Sequence, residues 1–372
     1  MKRHPIEPRS NWQSRVESRG FIWHSLDNPY WDESAYYEFS AKEIDELEAV
    51  ANSLHSICLE AVQHVIDHNR FAELSIPESF ANLIRETWEA EPPAIYGRFD
   101  FAYNGDDPPV LLEYNADTPT ALFEAAVVQW YWLQDLFPNA DQFNSIHERL
   151  TAKWQELKSY VTEPLYFASG DSIEDQMTTS YLRDVAEQAG LMCSSLRMSR
   201  IGWDSRQECF VDLEERPIKS IFKLYPWEWM WKEAFGAHLN ASVQWIEPAW
   251  KAVLSNKGIL PILWELYPHH PNLLEAYRDG PRSLREYVRK PLLSREGANV
   301  EVRTIDWRET STGDYGEEGY IYQQFVDLRS FDGNYPVVGS WIIDGQSGGM
   351  GIRESRTRIT DNVSRFVPHL FR

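Results

Sequence analysis

The alternating run Ile95-Tyr96-Gly97-Arg98-Phe99-Asp100-Phe101-Ala102-Tyr103 is followed by Asn104-Gly105-Asp106-Asp107-Pro108-Pro109 and then by Val110-Leu111-Leu112-Glu113-Tyr114-Asn115. Two strand-like segments joined by so polar a turn predict a β-hairpin, the strongest constraint the chain places on its own fold. Residues two apart on a strand share a face. Arg98 therefore pairs with Asp100 and Glu113 with Asn115, while Phe99, Phe101, Leu112 and Tyr114 are expected on the opposite, apolar face. A register that joins the two polar faces brings three oxygen donors and one guanidinium to a point. Asp, Glu and Asn oxygens suit Mg²⁺, a hard cation that keeps positions open for phosphate oxygens. Arg98 would then sit where charge develops on a transferring phosphoryl group. A solvated hairpin with a chance ion pair is the plainer reading, and the coherence of the polar face argues against it.

Around this hairpin the pattern is mixed α/β. Ser40 and Glu43 form a capping-box signature ahead of a helix running to about Ile66, with Leu47, Val50, Leu54, Cys58 and Val62 at helical spacing. Helices are also expected from Pro77 toward Trp88, over Thr120 to Trp132, over Gln142 to Tyr160 and over Ser172 to Ala189. Pro164–Ala168 reads as a buried strand, with further short strands near Ser194 and Phe210. Toward the C-terminus, strands are expected at Ile321–Phe325, Val337–Ile343 and Gly349–Arg353, the last two joined by Asp344–Gly348. With no repeat, low-complexity tract or flexible linker, several interlocking lobes around a cleft are expected, written as one domain over residues 1–372.

The chain carries 36 basic against 57 acidic residues, a net charge of −21. Such a surface repels nucleic acid and anionic membranes, so neither is an expected partner. An anionic ligand would need a local basic pocket, whereas an amine would be drawn in by the overall field. The three cysteines are too few and too irregularly spaced for a disulfide framework or a zinc site. No signal-like or membrane-length apolar run is present, so a cytoplasmic location is expected. Aromatic content is high, and Trp227, Trp229 and Trp231, alternating after Lys223, could line a substrate pocket but are assigned to core packing; His269-His270 do not read as metal ligands.

Two lysines carry the remaining signal. Lys257 lies in Ser255–Pro261, just before an apolar helical run. Lys290 ends a strand that leads into Pro291-Leu292-Leu293-Ser294-Arg295-Glu296-Gly297-Ala298-Asn299 and a second strand. A lysine followed by a small-residue loop whose N–H groups can cover phosphates suits a nucleotide lid, placed at about 245–320. Lys223, on a strand-like segment, could also approach phosphate.

Together the motifs resemble one family. Tyr96–Phe101 followed by Leu112–Thr120 looks like the metal-site block of glutathionylspermidine synthase. Glu247-Pro248-Ala249-Trp250, Ser255–Pro261 with Leu263-Trp264 and Pro268-His269-His270, the Lys290–Asn299 loop and Tyr322-Gln323-Gln324 are similar to that family's other blocks and occur in its order. The likeness runs from about Phe21 to the C-terminus. It implies an ATP-grasp fold of circularly permuted order, binding ATP and Mg²⁺. Asp100, Glu113 and Asn115 match the Mg²⁺ ligands, and Arg98 the arginine at the γ-phosphate and acyl phosphate, with Phe99 in the same ATP-contacting stretch. Lys257 and Lys290 match lysines on ATP phosphates, Gly297 the lid loop, and Gln324 the strand whose backbone meets adenine. Arg353 matches a phosphate-side arginine, and Ile359 falls near the purine pocket.

The implied reaction joins a small-molecule carboxylate to an amine, through an acyl phosphate, with release of ADP and phosphate. Bifunctional members carry an amidase domain ahead of the synthetase; this length leaves no room for one, so no amidase activity is expected. Thr118-Pro119-Thr120-Ala121 stands where the characterised synthetase has a serine-containing stretch that helps to hold glutathione, and Ser294 replaces a lid-loop glycine. The resemblance thus implies the reaction class without naming the acid, while a polyamine or a peptide with a free amine suits the acidic chain. Two other readings stay open on the residues alone. One is a carbohydrate hydrolase built on paired carboxylates, which leaves Lys257 and Lys290 unexplained; the other is a non-catalytic nucleotide-binding protein on the same scaffold.

Overall fold

Strands Tyr96–Ala102 and Val110–Asn115 pair antiparallel, and their hairpin forms the edge of a larger sheet. The computed structural model describes residues 1–25, 29–361 and 364–372. Tyr96–Ala102 is flanked on its other side by Tyr335–Ile343, followed by Gln346–Ser355 and Arg365–Val367, all antiparallel. The two long strands are joined by only Asp344 and Gly345, at φ 50° and 71°. Positive φ at both positions suits a tight two-residue turn whose twist matches the strands, which is why pairing extends further than the sequence pattern indicates.

Behind the sheet lies the helix Ala41–Asp67, started by the expected capping box between Ser40 and Glu43. Its buried stripe of Leu47, Leu54, Cys58 and Val62 packs in one core with Phe99, Phe101, Tyr114, Ile342 and Ile352 of the sheet. A four-stranded parallel sheet, ordered Gln244–Ile246, Ser220–Leu224, Leu165–Ser169 and Cys193–Arg197, forms a second lobe with the helix Ile173–Gln188. The third lobe is a five-stranded antiparallel sheet of Ala276–Tyr277, Tyr320–Gln324, Tyr287–Pro291, Glu301–Arg303 and Arg308–Thr310. Among the described residues no helix is long and apolar enough to cross a membrane.

Several elements differ from the expected ones for local reasons. The helix expected from Thr120 cannot begin there, because Ala121 sits at φ 65°. It opens after that residue, passes through a π-helical stretch at Glu124–Val128 and ends at Leu136, just short of Pro138. The Gln142–Tyr160 helix narrows to Ile146–Leu157. Trp227 opens a short helix, Trp227–Met230, so the tryptophans do not alternate as on a strand: Trp227 is buried, while Trp229 is 40% exposed.

The hairpin register contains one irregularity that parity cannot reveal. Asp100 faces Glu113 and Arg98 faces Asn115, but Phe101 faces Leu111, with a β-bulge between. Leu112 is the extra residue. The face therefore switches: Leu111 joins Phe99, Phe101 and Tyr114 in the core, while Leu112 packs instead with Ala102, Leu328 and Val337. The expectation that Leu112 lies on the core face is thus corrected. Leu111→Ala is expected to lower unfolding free energy by about 2–5 kcal/mol, and Leu112→Ala by less than about 1 kcal/mol. Urea denaturation of both variants measures the difference, and equal losses would contradict the bulge.

Candidate active site

Two cavities meet at the polar face of the hairpin. The larger, about 650 Å³, is lined by Arg98, Asp100, Glu113, Asn115, Gly297 and Arg353 among others. The smaller, about 120 Å³, takes in Asp100, Glu113, Lys257, Lys290, Gly297, Gln324 and Ile359. Asp100, Glu113, Gly297 and Thr360 border both. The structure thus brings together every residue matched above to the family's ATP and Mg²⁺ positions except Phe99. That ring lies on the opposite face, buried and stacked on Tyr114 at 3.9 Å between centroids. Only its backbone remains available to a nucleotide, a consequence of its odd place between Arg98 and Asp100.

At the junction the carboxylates are heavily engaged. Arg98 donates from Nε and Nη2 to the two oxygens of Asp100, at 2.6 and 2.9 Å, and from Nη1 to the Thr120 carbonyl at 2.6 Å. Burial disfavours the guanidinium, but Asp100 more than offsets this and raises its pKa. Burial also pushes the Asp100 carboxyl up, against the pull of Arg98. Asn115 donates to Glu113 Oε1 at 3.1 Å and to Asp100 Oδ2 at 3.4 Å, so the three side chains converge. Turning this amide over would present its carbonyl beside both carboxylates, a hard oxygen set that fits a small divalent cation.

Both lysines close on the same point from the far side. Lys257 lies 3.0 Å from Glu113 Oε2 and donates to the Ser294 carbonyl at 2.6 Å. Lys290 donates to the Leu112 carbonyl at 3.0 Å and to Gln323 Oε1 at 2.7 Å. Burial tends to raise the Glu113 pKa, yet Lys257 and Lys290 outweigh it and hold the carboxyl well below its usual range. Burial lowers Lys290 to about 8. Gln323, beside Gln324, is the inward residue of that strand pair and locks Lys290, also donating to the Leu111 carbonyl. Gln324 is exposed, with its N–H already given to the Glu275 carbonyl at 2.7 Å. Ile359 clusters with Val300, Val302 and Val288, which with Leu112, Leu328 and Val337 make the smaller cavity an apolar slot.

The loop between Lys290 and Glu301 lies across this junction. Gly297 at φ 67° packs so closely on the C-terminal segment that a Cβ would come within 2.5 Å of the Thr360 carbonyl oxygen. Arg353 reaches the Asp361 carbonyl at 2.5 Å and borders the larger cavity. Lys223 does not reach phosphate: it is fully buried in an ion pair with Asp117 at 2.6 Å.

The larger cavity has a second, acidic half that sequence reasoning missed. Glu174 and Asp175 come from the first turn of the helix Ile173–Gln188, Glu296 from the loop, and Tyr30 and Trp229 complete the wall. In sequence Glu174 and Asp175 look like ordinary acidic residues at a helix start capped by Ser172. Nothing local distinguishes them. Burial, reinforced by Glu174, lifts Asp175 to about 6.

A loop bordering the junction, paired lysines and an apolar slot around a cluster of oxygen donors fit an enzyme of ATP-grasp fold. Consistent with this, the fold matches a glutathione synthetase-like effector of Globodera pallida in its apo form, with a TM-score of 0.57 over 99% of this chain and 98% of that one, at 9% identity. More specifically, the family described as glutathionylspermidine synthase preATP-grasp matches residues 3–372. The chain belongs to the glutathionylspermidine synthase family. It is 42% identical, over 95% of its length and 94% of the relative's, to a Haemophilus influenzae protein assigned as an acid–amine ligase. It is 30% identical to trypanothione synthetase of Crithidia fasciculata and 27% identical to the bifunctional glutathionylspermidine synthetase/amidase of Escherichia coli. It spans 54% and 58% of those two proteins. The family places the chain among ATP-dependent ligases that form C–N bonds.

Behind the acidic wall sits Glu124, fully buried at the start of the π-helical stretch. Its Oε1 accepts from Trp23 Nε1 at 3.2 Å, and its Oε2 has no hydrogen-bond partner among the described residues. Burial, with the nearby Glu174, raises this carboxyl to about 7. The folded protein therefore holds a proton there that the unfolded chain, near its usual value of about 4.3, has released. Stability from this group is present below the unfolded value and is lost as pH rises through about 7. Glu124→Gln should accordingly gain in midpoint temperature, relative to the native protein, on passing from pH 5 to pH 8. A difference that stays constant across that range would refute the assignment.

Proposed function

We propose that this chain is an ATP- and Mg²⁺-dependent acid–amine ligase that forms an amide through an acyl phosphate. What carries the reading is the meeting of an apolar slot and a divided polar cavity at the Asp100–Glu113 rung. The slot suits a purine, with Lys257 and Lys290 at its inner end toward the phosphates. Asp100, Glu113 and Asn115 would hold Mg²⁺, which would draw charge from the phosphate oxygens.

The γ-phosphoryl group then passes to a carboxylate oxygen of the acid, and the bond from phosphorus to ADP breaks. Arg98 and Arg353 border the space where that charge spreads, and preorganised cations need no reorganisation during transfer. The amine nitrogen, having given up its ammonium proton to solvent, next attacks the activated carbonyl carbon; phosphate leaves with the C–O bonding electrons and takes up the second proton lost from nitrogen. Glu174, Asp175 and Glu296 offer the ammonium form a docking wall, beside Trp229, over whose ring the Arg295 guanidinium already lies at 5.9 Å. A polyamine or another multiply charged amine fits this wall better than a neutral nucleophile. The acid would lie toward Arg98 and Thr118-Pro119-Thr120. No nucleophilic side chain is required, so positioning and charge neutralisation do the chemistry.

Calorimetry with ATP and Mg²⁺ tests the reading, followed by ADP release in the presence of paired acids and amines. Glu113→Ala and Lys290→Met are each expected to weaken Mg-ATP binding at least about tenfold, the loss of one charge-assisted contact. Asp100→Ala should behave like Glu113→Ala. No detectable binding by the native protein at millimolar ATP and Mg²⁺ would defeat the proposal.

A further inference from the structure

Beyond the Lys257 contact to Ser294, the lid loop is tied to the body of the protein by an arginine with two acceptors. Arg295 donates from Nη1 to Thr118 Oγ1 at 2.7 Å and from Nη2 to Glu228 Oε1 at 2.6 Å. These acceptors lie on different lobes: Thr118 just beyond the hairpin, Glu228 in the short helix that follows the parallel sheet. Their spacing has to be set by something else, and each has Asp117 next to it. Asp117 precedes Thr118 in the chain. Its Oδ2 also accepts from the backbone N–H of Trp227, the residue before Glu228, at 3.0 Å. Its Oδ1 takes Lys223 Nζ at 2.6 Å, and both side chains are fully buried. Ser255 Oγ accepts the N–H groups of Ala116 and Asp117 at 3.1 and 2.7 Å, which pins this corner two residues before Lys257.

A buried ion pair of this kind contributes little net stability over an apolar pair of the same volume, so stability alone is a weak reason for it. Its geometry supplies a better one. We propose that Asp117, held by Lys223, is a positioning residue that fixes Thr118 and Glu228 as a socket for Arg295 and so sets the closed position of the lid loop. Asp117 reaches no cavity itself and acts through Arg295. For catalysis this role rests on the ligase reading; the docking of Arg295 on Thr118 and Glu228 does not.

Hydrogen–deuterium exchange of the loop spanning 292–300 tests it directly. Asp117→Asn is expected to speed exchange of that loop at least about fivefold while the helix Ala41–Asp67 stays protected. Added to Arg295→Ala it should speed the loop no further, since both changes break one contact set. The pair Asp117→Asn with Lys223→Met removes both charges without leaving an unpaired buried ammonium, and serves if the single variant fails to fold. In turnover, kcat should fall at least about tenfold with KM for ATP within about threefold, as for a contact made on closure. Unchanged loop exchange, exchange that rises equally throughout the protein, or effects that multiply with Arg295→Ala would overturn the proposal. A native protein with no ligase turnover would defeat the function proposed above, yet the exchange measurement would still decide this one.

Discussion

Asp100 and Glu113 stand opposite each other on one rung of a buried hairpin. Two carboxylates so placed repel strongly in a medium less polarisable than water, and desolvation adds to the cost. Much of the surrounding architecture follows from that constraint. Arg98 neutralises Asp100 from the same strand, but no cation on the hairpin is left for Glu113. It is supplied from far along the chain by Lys257 and Lys290, at the start of the helix Ile259–Leu266 and on the third lobe's sheet. Charge compensation thereby draws the third lobe onto the hairpin. On the proposed reading, phosphates engaging those lysines would remove the compensation of the rung, and a divalent cation would be the natural replacement. Metal and nucleotide are expected to bind as one unit for this electrostatic reason.

The bulge serves the same junction. Without the extra residue at Leu112, Glu113 and Asn115 would not share a side with Asp100 while Leu111 and Tyr114 both remain in the core. The bulge also turns the Leu112 side chain and carbonyl toward the slot, where the carbonyl receives Lys290. One inserted residue thus satisfies the core, the oxygen cluster and a lysine that would otherwise be buried without an acceptor. Bulges at sheet edges beside active sites commonly re-aim side chains in this way.

This also marks the boundary of what the sequence makes legible. The capping box at Ser40, the hairpin, the long C-terminal strands and the strand–lysine–loop at Lys290 are encoded within a few residues, and local pattern recovers them. Parity carried Phe99 and Tyr114 to the correct face but failed at Leu112, because a bulge has no signature in alternation. Ala121 adopts a left-handed backbone that its side chain does not announce, so the helix start was misplaced. The acidic wall and the Asp117–Lys223 pair were illegible for a different reason. Asp117 and Lys223 are separated by 106 residues and meet only when two lobes pack. Glu174 satisfies every rule for an ordinary helix start while facing a cavity. Motif likeness reaches the residues proposed for the nucleotide because its blocks are compact, whereas the acidic wall proposed for the amine is assembled from scattered single residues.

The charge distribution joins these two sides. A net charge of −21 is carried by a protein whose central cations, Arg98, Lys257 and Lys290, are nearly all buried. A nucleotide approaching from solution meets an opposing field, but salt limits its reach to about 8 Å at physiological ionic strength. Repulsion is therefore a cost on encounter, while affinity is decided inside, where burial strengthens each contact. For an ammonium the balance reverses: the outer field assists approach and the inner wall of Glu174, Asp175 and Glu296 continues it. Lys257 and Lys290 line the smaller cavity, while Glu174, Asp175 and Glu296, with Arg295 beside them, line the larger one, and the two cavities share Asp100 and Glu113. On the proposed reading, an anionic reactant would enter from the smaller cavity and a cationic one from the larger, so that their reacting groups would meet beside the hairpin.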